Sequence, residues 1–270
     1  MNVGFIGLGN QGLPIAQRIL AGGHHLHVWG RRETSVAPFV GTTATIVGSP
    51  AAMGFLCEIV CVCVLDDEAV RDVVFHQGLL AAMHENSVLA IHSTISPALV
   101  RQIAEAADDR GVHVLDAPVS GGSVGAAAGT MAVMVGGASA ALEQALPVFQ
   151  TFASAVRRVG EVGAGQLCKL VNNCLFTANV GLALDAIAVG ESLGLDREAL
   201  TAMLQAGSAA SFALGVAPHM MNPASAAHAG GLLDKDVSLL EHQTEALGRA
   251  ASTMQITARA TVQEILRHAQ

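Results

Sequence analysis

The opening of the chain constrains its fold more than any other feature. A short apolar run at residues 3–8 contains the start of Gly7-Leu8-Gly9-Asn10-Gln11-Gly12, residues 13–21 have helical composition, and a second apolar run covers residues 26–29. Strand, glycine loop, helix and strand in this order are typical of the first unit of a doubly wound, mainly parallel sheet. The sequence therefore predicts an α/β chain with a Rossmann-type N-terminal domain.

The three glycines of this loop have separate roles in such a unit. The first makes a tight turn, the second lets a diphosphate approach the backbone, and the third lets the helix pack closely on the strand. The N-terminus of the helix then faces the phosphates. The spacing alone is a weak signal, but its place between a strand and a helix favours a dinucleotide site. We expect Gly7, Gly9, Asn10, Gln11 and Gly12 to bind the cofactor.

Two arginines indicate which dinucleotide is bound. An NAD site usually has an Asp or Glu at the end of the second strand, where it binds the ribose 2′-hydroxyl. This chain has Arg31 and Arg32 there, and their permanent forked charge suits the 2′-phosphate of NADP. The alternative is a solvated arginine pair, with Glu33 binding the ribose. We predict NADP rather than NAD, and we expect Leu65, just after a later apolar run, to contact the cofactor too.

Strand and helix patterns alternate over the first 160 residues and then change. Further strands are predicted at residues 44–47, 59–64, 88–92, 112–116, 131–135 and 156–159, with helices at 67–75, 97–107 and 139–152. Beyond residue 163 only helices are predicted, at 166–193, 197–206, 236–247 and 253–268, and residues 218–231 have the loosest pattern. This change predicts a Rossmann domain at residues 1–161 and an all-α domain for substrate binding and oligomer contacts at 162–270, joined by a long interdomain helix.

Composition and charge argue against several classes of function. A formal net charge of −8 without a Lys/Arg cluster disfavours nucleic-acid binding. No apolar stretch of about 18 residues lacks a polar interruption, which disfavours a membrane span. The five cysteines form no CxxC pair, and His24, His25 and His27 alternate without a cysteine or carboxylate to complete a metal site. With no secretory signal pattern, we expect a cytoplasmic protein with reduced thiols and no metal.

Two polar turns follow later strands, at the sheet edge where α/β proteins bind ligands. Their sequences are His92-Ser93-Thr94-Ile95-Ser96-Pro97 and Asp116-Ala117-Pro118-Val119-Ser120-Gly121-Gly122. In the second turn, Ser120 and the backbone N–H groups of Gly121 and Gly122 could form a nest for a carboxylate. If these are ordinary Gly-Ser turns, neither has a function.

A single lysine stands out in the predicted long helix. Lys169 is the only lysine before residue 235, and its neighbours are small or apolar. Apolar surroundings disfavour the charged form of an amine, so proton transfer near neutral pH becomes possible. Asn173 lies four residues later, on the same helix face. The alternative is a surface lysine whose stem covers a buried helix.

Taken together, these motifs resemble the β-hydroxyacid dehydrogenase family, which includes 3-hydroxyisobutyrate dehydrogenases and several semialdehyde reductases. The resemblance runs over essentially the whole chain. Its motifs are the Gly7-to-Gly12 loop, Ser93-Thr94-Ile95-Ser96-Pro97, the Asp116-to-Gly122 turn, Gly163-Ala164-Gly165-Gln166-Leu167-Cys168-Lys169-Leu170-Val171-Asn172-Asn173 and Asp234-Lys235-Asp236. It implies a Rossmann-type domain joined by a long helix to an all-α domain.

The resemblance also implies residue roles. Lys169 would be the general acid/base that protonates the carbonyl oxygen during reduction, and Asn173 would hold the substrate. Thr94 would contact the nicotinamide side, and Lys235 would reach the cofactor or substrate. The roles implied for the second turn are binding of the substrate carboxylate or hydroxyl by Ser120, Gly121 and Gly122.

Two departures from relatives are visible. His92 stands where many relatives have an acidic residue; it could tune substrate preference, although filling the strand end is the favoured interpretation. The decarboxylating 6-phosphogluconate dehydrogenases have His-Asn after the lysine and a glutamate shortly beyond, where this chain has Asn172-Asn173 and Phe176. We therefore predict hydride transfer without decarboxylation of a sugar phosphate.

Other functions stay open at this point. Imine reduction on the same fold is one, although imine-reducing relatives generally lack the lysine. A non-catalytic NADP-binding regulatory protein is the other, although it has no need of Lys169, Asn173 and Ser120 together. The apolar, alanine-rich second half also predicts a homodimer or homotetramer. The identity of the hydroxy acid or semialdehyde and the direction of the reaction do not follow from these patterns.

Overall fold

The protein forms two compact units. The computed structural model describes residues 1–220 and 223–268, and the chain divides into Met1–Lys169 and Leu170–Gln270. The predicted boundary after residue 161 lies eight residues before this division.

The first unit is built on one sheet, which has nine strands within the described residues. The strands are β1 (Asn2–Ile6), β2 (His25–Trp29), β3 (Thr45–Ile46), β4 (Ile59–Val62), β5 (Val88–Ile91), β6 (His113–Asp116), β7 (Val119–Ser120), β8 (Met131–Gly136) and β9 (Ala153–Gly160). Their order is β3-β2-β1-β4-β5-β6-β8-β7, and β9 pairs with β8. Strands β1 to β6 pair with one another in parallel. Strand β8 is antiparallel to β6 and β7 and parallel to β9.

Helices cover both faces of this sheet. They are α1 (Gly12–Ala21), α2 (Glu33–Val36), α3 (Pro50–Leu56), α4 (Asp67–Arg71), α5 (Leu79–Ala82), α6 (Pro97–Asp108), α7 (Gly122–Ala128) and α8 (Ser139–Phe149), with a 3-10 turn at Ala37–Phe39 and a π-helical turn at Asp72–His76. One core, around Phe5 and Phe149, lies on one face of the sheet, and a second, around Ile6 and Leu89, lies on the other. Every residue of β4 and β5 is buried, as expected for parallel strands covered on both faces. The predicted Rossmann-type architecture is confirmed.

The regular elements in the described residues of the second unit are all helices. Its helices are α9 (Ala164–Ser192), which begins in the first unit, α10 (Arg197–Ala206), α11 (Phe212–Met220), α12 (Pro223–Glu245) and α13 (Thr253–His268). Leu170, Val180, Ile187 and Val262 belong to its own apolar core. The predicted all-α character and the long helix are confirmed.

One predicted feature of this unit is wrong. Residues 218–231 have a loose pattern, yet their described part belongs to α11 and to the first turns of α12; Met221 and Asn222 lie outside the described residues. Pro223 occupies the first position of α12, where its missing N–H costs nothing, and the alanines that follow have the highest helix propensity. Helix α12 therefore starts 13 residues before the predicted helix at 236–247.

Among the described helices, α9 alone is long and apolar enough to cross a membrane, with a mean hydropathy of 1.4 over its most apolar window. Core helices of soluble proteins meet the same criterion, so it is weak evidence. Asn172, Asn173, Asn179 and Asp185 interrupt the apolar sequence of this helix.

Candidate active site

The parallel strands carry the predicted cofactor residues to one edge of the sheet. β1 lies between β2 and β4, so the chain crosses from one side of β1 to the other. Ligands of doubly wound sheets bind in the crevice at the carboxyl ends of such strands. The glycine loop follows β1, Arg31 and Arg32 follow β2, Leu65 follows β4, and Thr94 follows β5.

At two positions of the loop the fold itself requires glycine, whether or not a ligand is bound. Gly7 has a φ of +100°, and a Cβ there would collide with the carbonyl oxygen of Cys63 at the end of β4. At Gly12, in the first turn of α1, a Cβ would collide with the carbonyl oxygen of Gly7. These contacts explain the tight turn and the close approach of helix α1 to strand β1.

Gly9 differs from both. A Cβ there would have no described atom within 4 Å, and the residue is exposed, as is Asn10. Gln11, the N-cap residue of α1, makes no side-chain capping hydrogen bond within the described chain. The first N–H groups of a helix have no partners within the helix and favour an anion. The open space at the N-terminus of α1 therefore fits a dinucleotide diphosphate.

Arg31 and Arg32 are both exposed, immediately after β2. Neither guanidinium forms an ion pair with a carboxylate among the described residues, so their charges are available to a ligand. Gly30 before them is confined, because a Cβ would collide with the hydroxyl of Ser35. The two guanidinium groups could bind an anionic group of a ligand at this strand end.

The end of β4 is tied to the end of β5. The backbone N–H of Val64 donates to the buried Ser93 hydroxyl over 2.8 Å. Leu65, next to Val64, is 64% exposed, and Thr94, next to Ser93, is half-buried. Both expected cofactor contacts therefore lie beside a shared hydrogen bond at the carboxyl edge.

The predicted carboxylate nest lies on strand β7 and at the start of helix α7. Ser120 pairs with Ala132 of β8 and is half-buried, whereas Gly121 and Gly122 are exposed. Gly121 and Gly122 have φ values of +131° and +63°, a conformation that favours glycine. Both positions of this turn therefore favour glycine, as positions with positive φ in tight turns commonly do.

Lys169 lies in the second turn of α9 and is 8% exposed. Lysine is rarely buried to this extent without a specific role for its ammonium group. This position disfavours the interpretation of a surface lysine.

The start of α9 is fixed by two residues to which the sequence assigned no role. The buried carboxylate of Asp116, the last residue of β6, accepts from the N–H groups of Gly163 and Gln166, both over 2.8 Å. Burial raises the pKa of Asp116, whereas these backbone hydrogen bonds lower it, and the burial effect is the larger. The fully buried Gln166 side chain accepts from the N–H of Ile95 over 3.1 Å and donates to the carbonyl of Ser93 over 2.8 Å. Both residues stand in motifs quoted above, but their spacing in the sequence does not report these hydrogen bonds.

The second unit holds the other predicted substrate residue in a polar cluster of its own. The Asn173 amide donates to the Asp236 carboxylate over 2.6 Å and accepts from the Asn172 amide over 3.0 Å. Asp236 is 5% exposed, and the Lys235 ammonium lies 3.5 Å from its other oxygen. Asp236 was not predicted as a site residue, although it belongs to the Asp234-Lys235-Asp236 motif.

His92 is a core residue in this structure. Its ring is 2% exposed, lies among Phe5, Phe149 and Phe152, and makes a 2.7 Å hydrogen bond from Nδ1 to the carbonyl of Ala117. Burial lowers the pKa of His92 to about 4, so the ring is neutral at pH 7 and Nδ1 carries the donated proton. These contacts support the interpretation that it fills the strand end.

The part of the chain that the structure describes contains no group of three or more His, Cys, Asp or Glu side chains placed to hold a metal ion. Among these described residues, His24, His25 and His27 are therefore not grouped with further side chains that could bind a metal. The hydrogen-bonded and buried groups of the site are those at the carboxyl edge of the sheet and along α9.

Comparison with known sequence families covers the whole chain in two parts. Residues 2–162 match the family described as the NAD binding domain of 6-phosphogluconate dehydrogenase. Residues 163–270 match the family described as the NAD-binding domain of NADP-dependent 3-hydroxyisobutyrate dehydrogenase.

Individual proteins give the same result. An NAD-dependent L-serine dehydrogenase of Pseudomonas aeruginosa is 34% identical over 254 residues, which are 90% of this chain and 85% of that protein. A 3-hydroxyisobutyrate dehydrogenase of the same organism is 34% identical over 250 residues, 88% of this chain and 83% of that protein.

Solved structures extend the likeness to the fold. The Mycobacterium tuberculosis 3-hydroxyisobutyrate dehydrogenase with L-serine superposes with a TM-score of 0.86 at 27% identity, covering 99% of this chain and 94% of that one. With its glycine loop, its buried helix lysine and these matches, the chain belongs to the β-hydroxyacid dehydrogenase family of oxidoreductases.

Proposed function

We propose that the chain is an NADP(H)-dependent oxidoreductase that interconverts a small β- or γ-hydroxy acid and its semialdehyde, without decarboxylation of a sugar phosphate. The observation that carries this proposal is the burial of Lys169 on a helix whose first turn is hydrogen-bonded to the carboxyl edge of the dinucleotide-type sheet. When bound, the cofactor would supply a hydride to the carbonyl carbon, or accept one from the carbon that bears the hydroxyl.

The chain's own residues would perform three tasks, namely cofactor binding, proton transfer and substrate binding. Gly7, Gly9, Asn10, Gln11 and Gly12 would bind the diphosphate at the N-terminus of α1. The remaining cofactor contacts in this proposal are Arg31, Arg32, Leu65, Thr94 and Lys235. The open space at Gly9, at the carboxyl edge of the sheet, supports the assignment of these residues to cofactor binding.

Proton transfer is assigned to Lys169. During reduction its ammonium group would donate a proton to the carbonyl oxygen, which prevents charge from building up on that oxygen. In the reverse direction the neutral amine would take the hydroxyl proton. Asn173, held by Asp236, would orient the same oxygen or its neighbour, while Ser120, Gly121 and Gly122 would bind the acid group.

The names of relatives support the substrate class. L-serine and 3-hydroxyisobutyrate, the substrates in the names of two relatives, both have a carboxylate and a hydroxyl on the third carbon. A site that binds a carboxylate at a fixed distance from Lys169 would accept such molecules. We also propose a cytoplasmic location, a homodimer or homotetramer, and a domain boundary at residue 161.

Cofactor preference is tested by kinetics with both nicotinamides. We expect kcat/KM to be higher with NADPH than with NADH. In Arg31→Ala and Arg32→Ala the ratio of kcat/KM with NADPH to that with NADH should fall about tenfold, because each variant would lose one charge-assisted contact to the 2′-phosphate. Arg157→Ala, on the exposed strand β9, is the control and should keep the wild-type ratio. A wild-type ratio below one would contradict the NADP assignment, and Glu33 would then be the candidate for the ribose.

The reaction class is tested by a substrate panel. Oxidation of NADPH is followed at 340 nm with glyoxylate, succinic semialdehyde, tartronate semialdehyde and methylmalonate semialdehyde, and 6-phosphogluconate is tested in the oxidative direction. Turnover of a semialdehyde without CO2 release from 6-phosphogluconate is the expected result. Turnover of cyclic imines alone would favour imine reduction, and cofactor binding without any turnover would favour a regulatory protein.

A further inference from the structure

We propose that Gln166 is a positioning residue of the reaction proposed above: it holds the turn that contains Thr94 against the first turns of α9, which carry Lys169. This inference rests on the proposed function. It concerns a residue three positions before the lysine, whose hydrogen-bond partners Ser93, Ile95 and Asp116 all belong to the first unit.

The Gln166 side chain joins the turn at two points. Its oxygen accepts from the N–H of Ile95 and its nitrogen donates to the carbonyl of Ser93, so the two bonds are made on either side of Thr94. The residue is 0% exposed, and among side chains of this length only glutamine supplies one donor and one acceptor without first binding a proton. Two bonds from one planar amide fix both the distance and the orientation of the turn.

The other end of Gln166 is fixed as well. Its backbone N–H donates to Asp116, and the same carboxylate accepts from Gly163. Asp116 closes β6, and Ser93 receives the N–H of Val64 at the end of β4. The ends of β4, β5 and β6 are therefore connected to the start of α9 through Gln166 and its partners.

This arrangement has a consequence for the reaction. Thr94 is proposed to face the nicotinamide side, and Lys169 is proposed to act on the carbonyl oxygen. Their separation decides whether the hydride and the proton can reach the two ends of one carbonyl group. A misplacement of about 1 Å can reduce a rate about a hundredfold, even when the reacting groups are intact.

Replacement by glutamate gives a test that depends on pH. In Gln166→Glu the ionised carboxylate can accept from Ile95 but cannot donate to the Ser93 carbonyl. When protonated, the carboxyl group can do both, and burial favours that form. In Gln166→Leu both bonds are lost at every pH. Gln150→Glu, at an exposed position after α8, is the matched control.

The measurement is kcat of each variant relative to the wild type between pH 8 and pH 5.5, with the melting temperature and the exchange rate of the Ile95 amide recorded alongside. At pH 8 we expect kcat of Gln166→Glu to be about tenfold to a hundredfold below the wild type, with the KM for NADPH little changed. The ratio should rise as the pH falls for Gln166→Glu, remain low for Gln166→Leu, and stay near one for Gln150→Glu. The Ile95 amide should exchange faster in Gln166→Leu.

Two results would overturn this role. One is a Gln166→Leu protein that melts earlier but keeps wild-type kcat well below its melting temperature; this would make the residue structural only. The other is a Gln166→Glu profile parallel to the wild type. A failure of the proposed function is recognised separately, because the wild-type protein would then turn over none of the substrates, whereas the Ile95 exchange needs no substrate.

Discussion

At the scale of single residues, Gly9 separates cofactor binding from folding. Its Cβ would meet no described atom within 4 Å, and its backbone conformation is one that alanine can adopt. We predict that Gly9→Ala folds with an unchanged melting temperature but raises the Kd for NADPH about tenfold, because the methyl group would occupy space needed by the diphosphate.

The control for this prediction is Gly48→Ala. Gly48 also has open space around a built Cβ and lies outside the glycine loop. It should change neither the melting temperature nor the Kd measured by fluorescence titration. Equal NADPH affinity in Gly9→Ala and the wild type would argue that no diphosphate lies over this loop.

A second prediction at this scale concerns His92 and the dependence of the free energy of unfolding on pH. Its pKa is about 4 in the folded protein and 6.5 in the unfolded chain, so between these values the unfolded state binds the additional proton. The contribution of the neutral His92 ring to the free energy of unfolding is complete above pH 6.5. It decreases as the pH falls and is lost by about pH 4. The gap between the two pKa values corresponds to on the order of 3 kcal/mol.

Urea unfolding at several pH values tests this. In His92→Leu the part of the pH dependence between pH 6.5 and pH 4 that is due to the ring should disappear, although the variant is less stable at pH 7 because the Ala117 carbonyl loses its donor. His113→Gln, at an exposed position of β6, should retain the wild-type slope. A His92→Leu slope identical to that of the wild type would exclude a neutral buried ring.

Residue identities explain why parts of the site are visible in the sequence and others are not. The glycine loop, Arg31, Arg32 and Lys169 stand in local patterns that carry their own chemical meaning. Asp116 and Gln166 acquire their roles from hydrogen bonds to residues 47 to 73 positions away, and no spacing rule reports such contacts. Asp236 is likewise bonded to Asn173 across 63 positions.

At the scale of elements, helix α9 depends on its close approach to the sheet. A Cβ at Gly165 would collide with the carbonyl oxygens of Asp116 and Met134. We predict that Gly165→Ala lowers the free energy of unfolding by about 1–3 kcal/mol or more, since overpacking against the backbone cannot be relieved by a side-chain rotation.

A second helical glycine provides the contrast for that measurement. Gly231 of α12 is exposed, and a Cβ there meets no described atom within 4 Å. Gly231→Ala should therefore raise stability by about 0.5–1 kcal/mol through helix propensity. If both variants shift the denaturation midpoint in the same direction, the close packing of α9 on the sheet is not the reason why position 165 requires glycine.

Elements differ in how far sequence patterns predict them. The parallel strands are marked by uninterrupted apolar runs, and all the predicted strands exist with shifts of up to three residues at their ends. Short helices such as α3 and α7 were not predicted, because one or two turns do not establish a periodic pattern. α12 was predicted too short because its first turns, rich in alanine and glycine, lack amphipathic character.

At the scale of the whole molecule, exposed apolar side chains bear on the assembly. Met203, Phe212 and Leu247 of the second unit are each more than two-thirds exposed. Apolar side chains left in water commonly mark interfaces. We expect size-exclusion chromatography with light scattering to give two or four times the chain mass of 27.5 kDa. A single-chain mass at micromolar concentration would contradict the proposed oligomer.

The central claim, proton transfer by Lys169, is tested most directly by the variant Lys169→Ala, with Cys168→Ala as the neighbouring control. kcat for reduction of the semialdehyde that the wild type uses, and the Kd for NADPH, are measured for each protein. We predict a loss of kcat of two or more orders of magnitude in Lys169→Ala, with the Kd for NADPH nearly unchanged, and wild-type values in Cys168→Ala. Retention of most of the activity in Lys169→Ala would contradict the assignment of the acid/base.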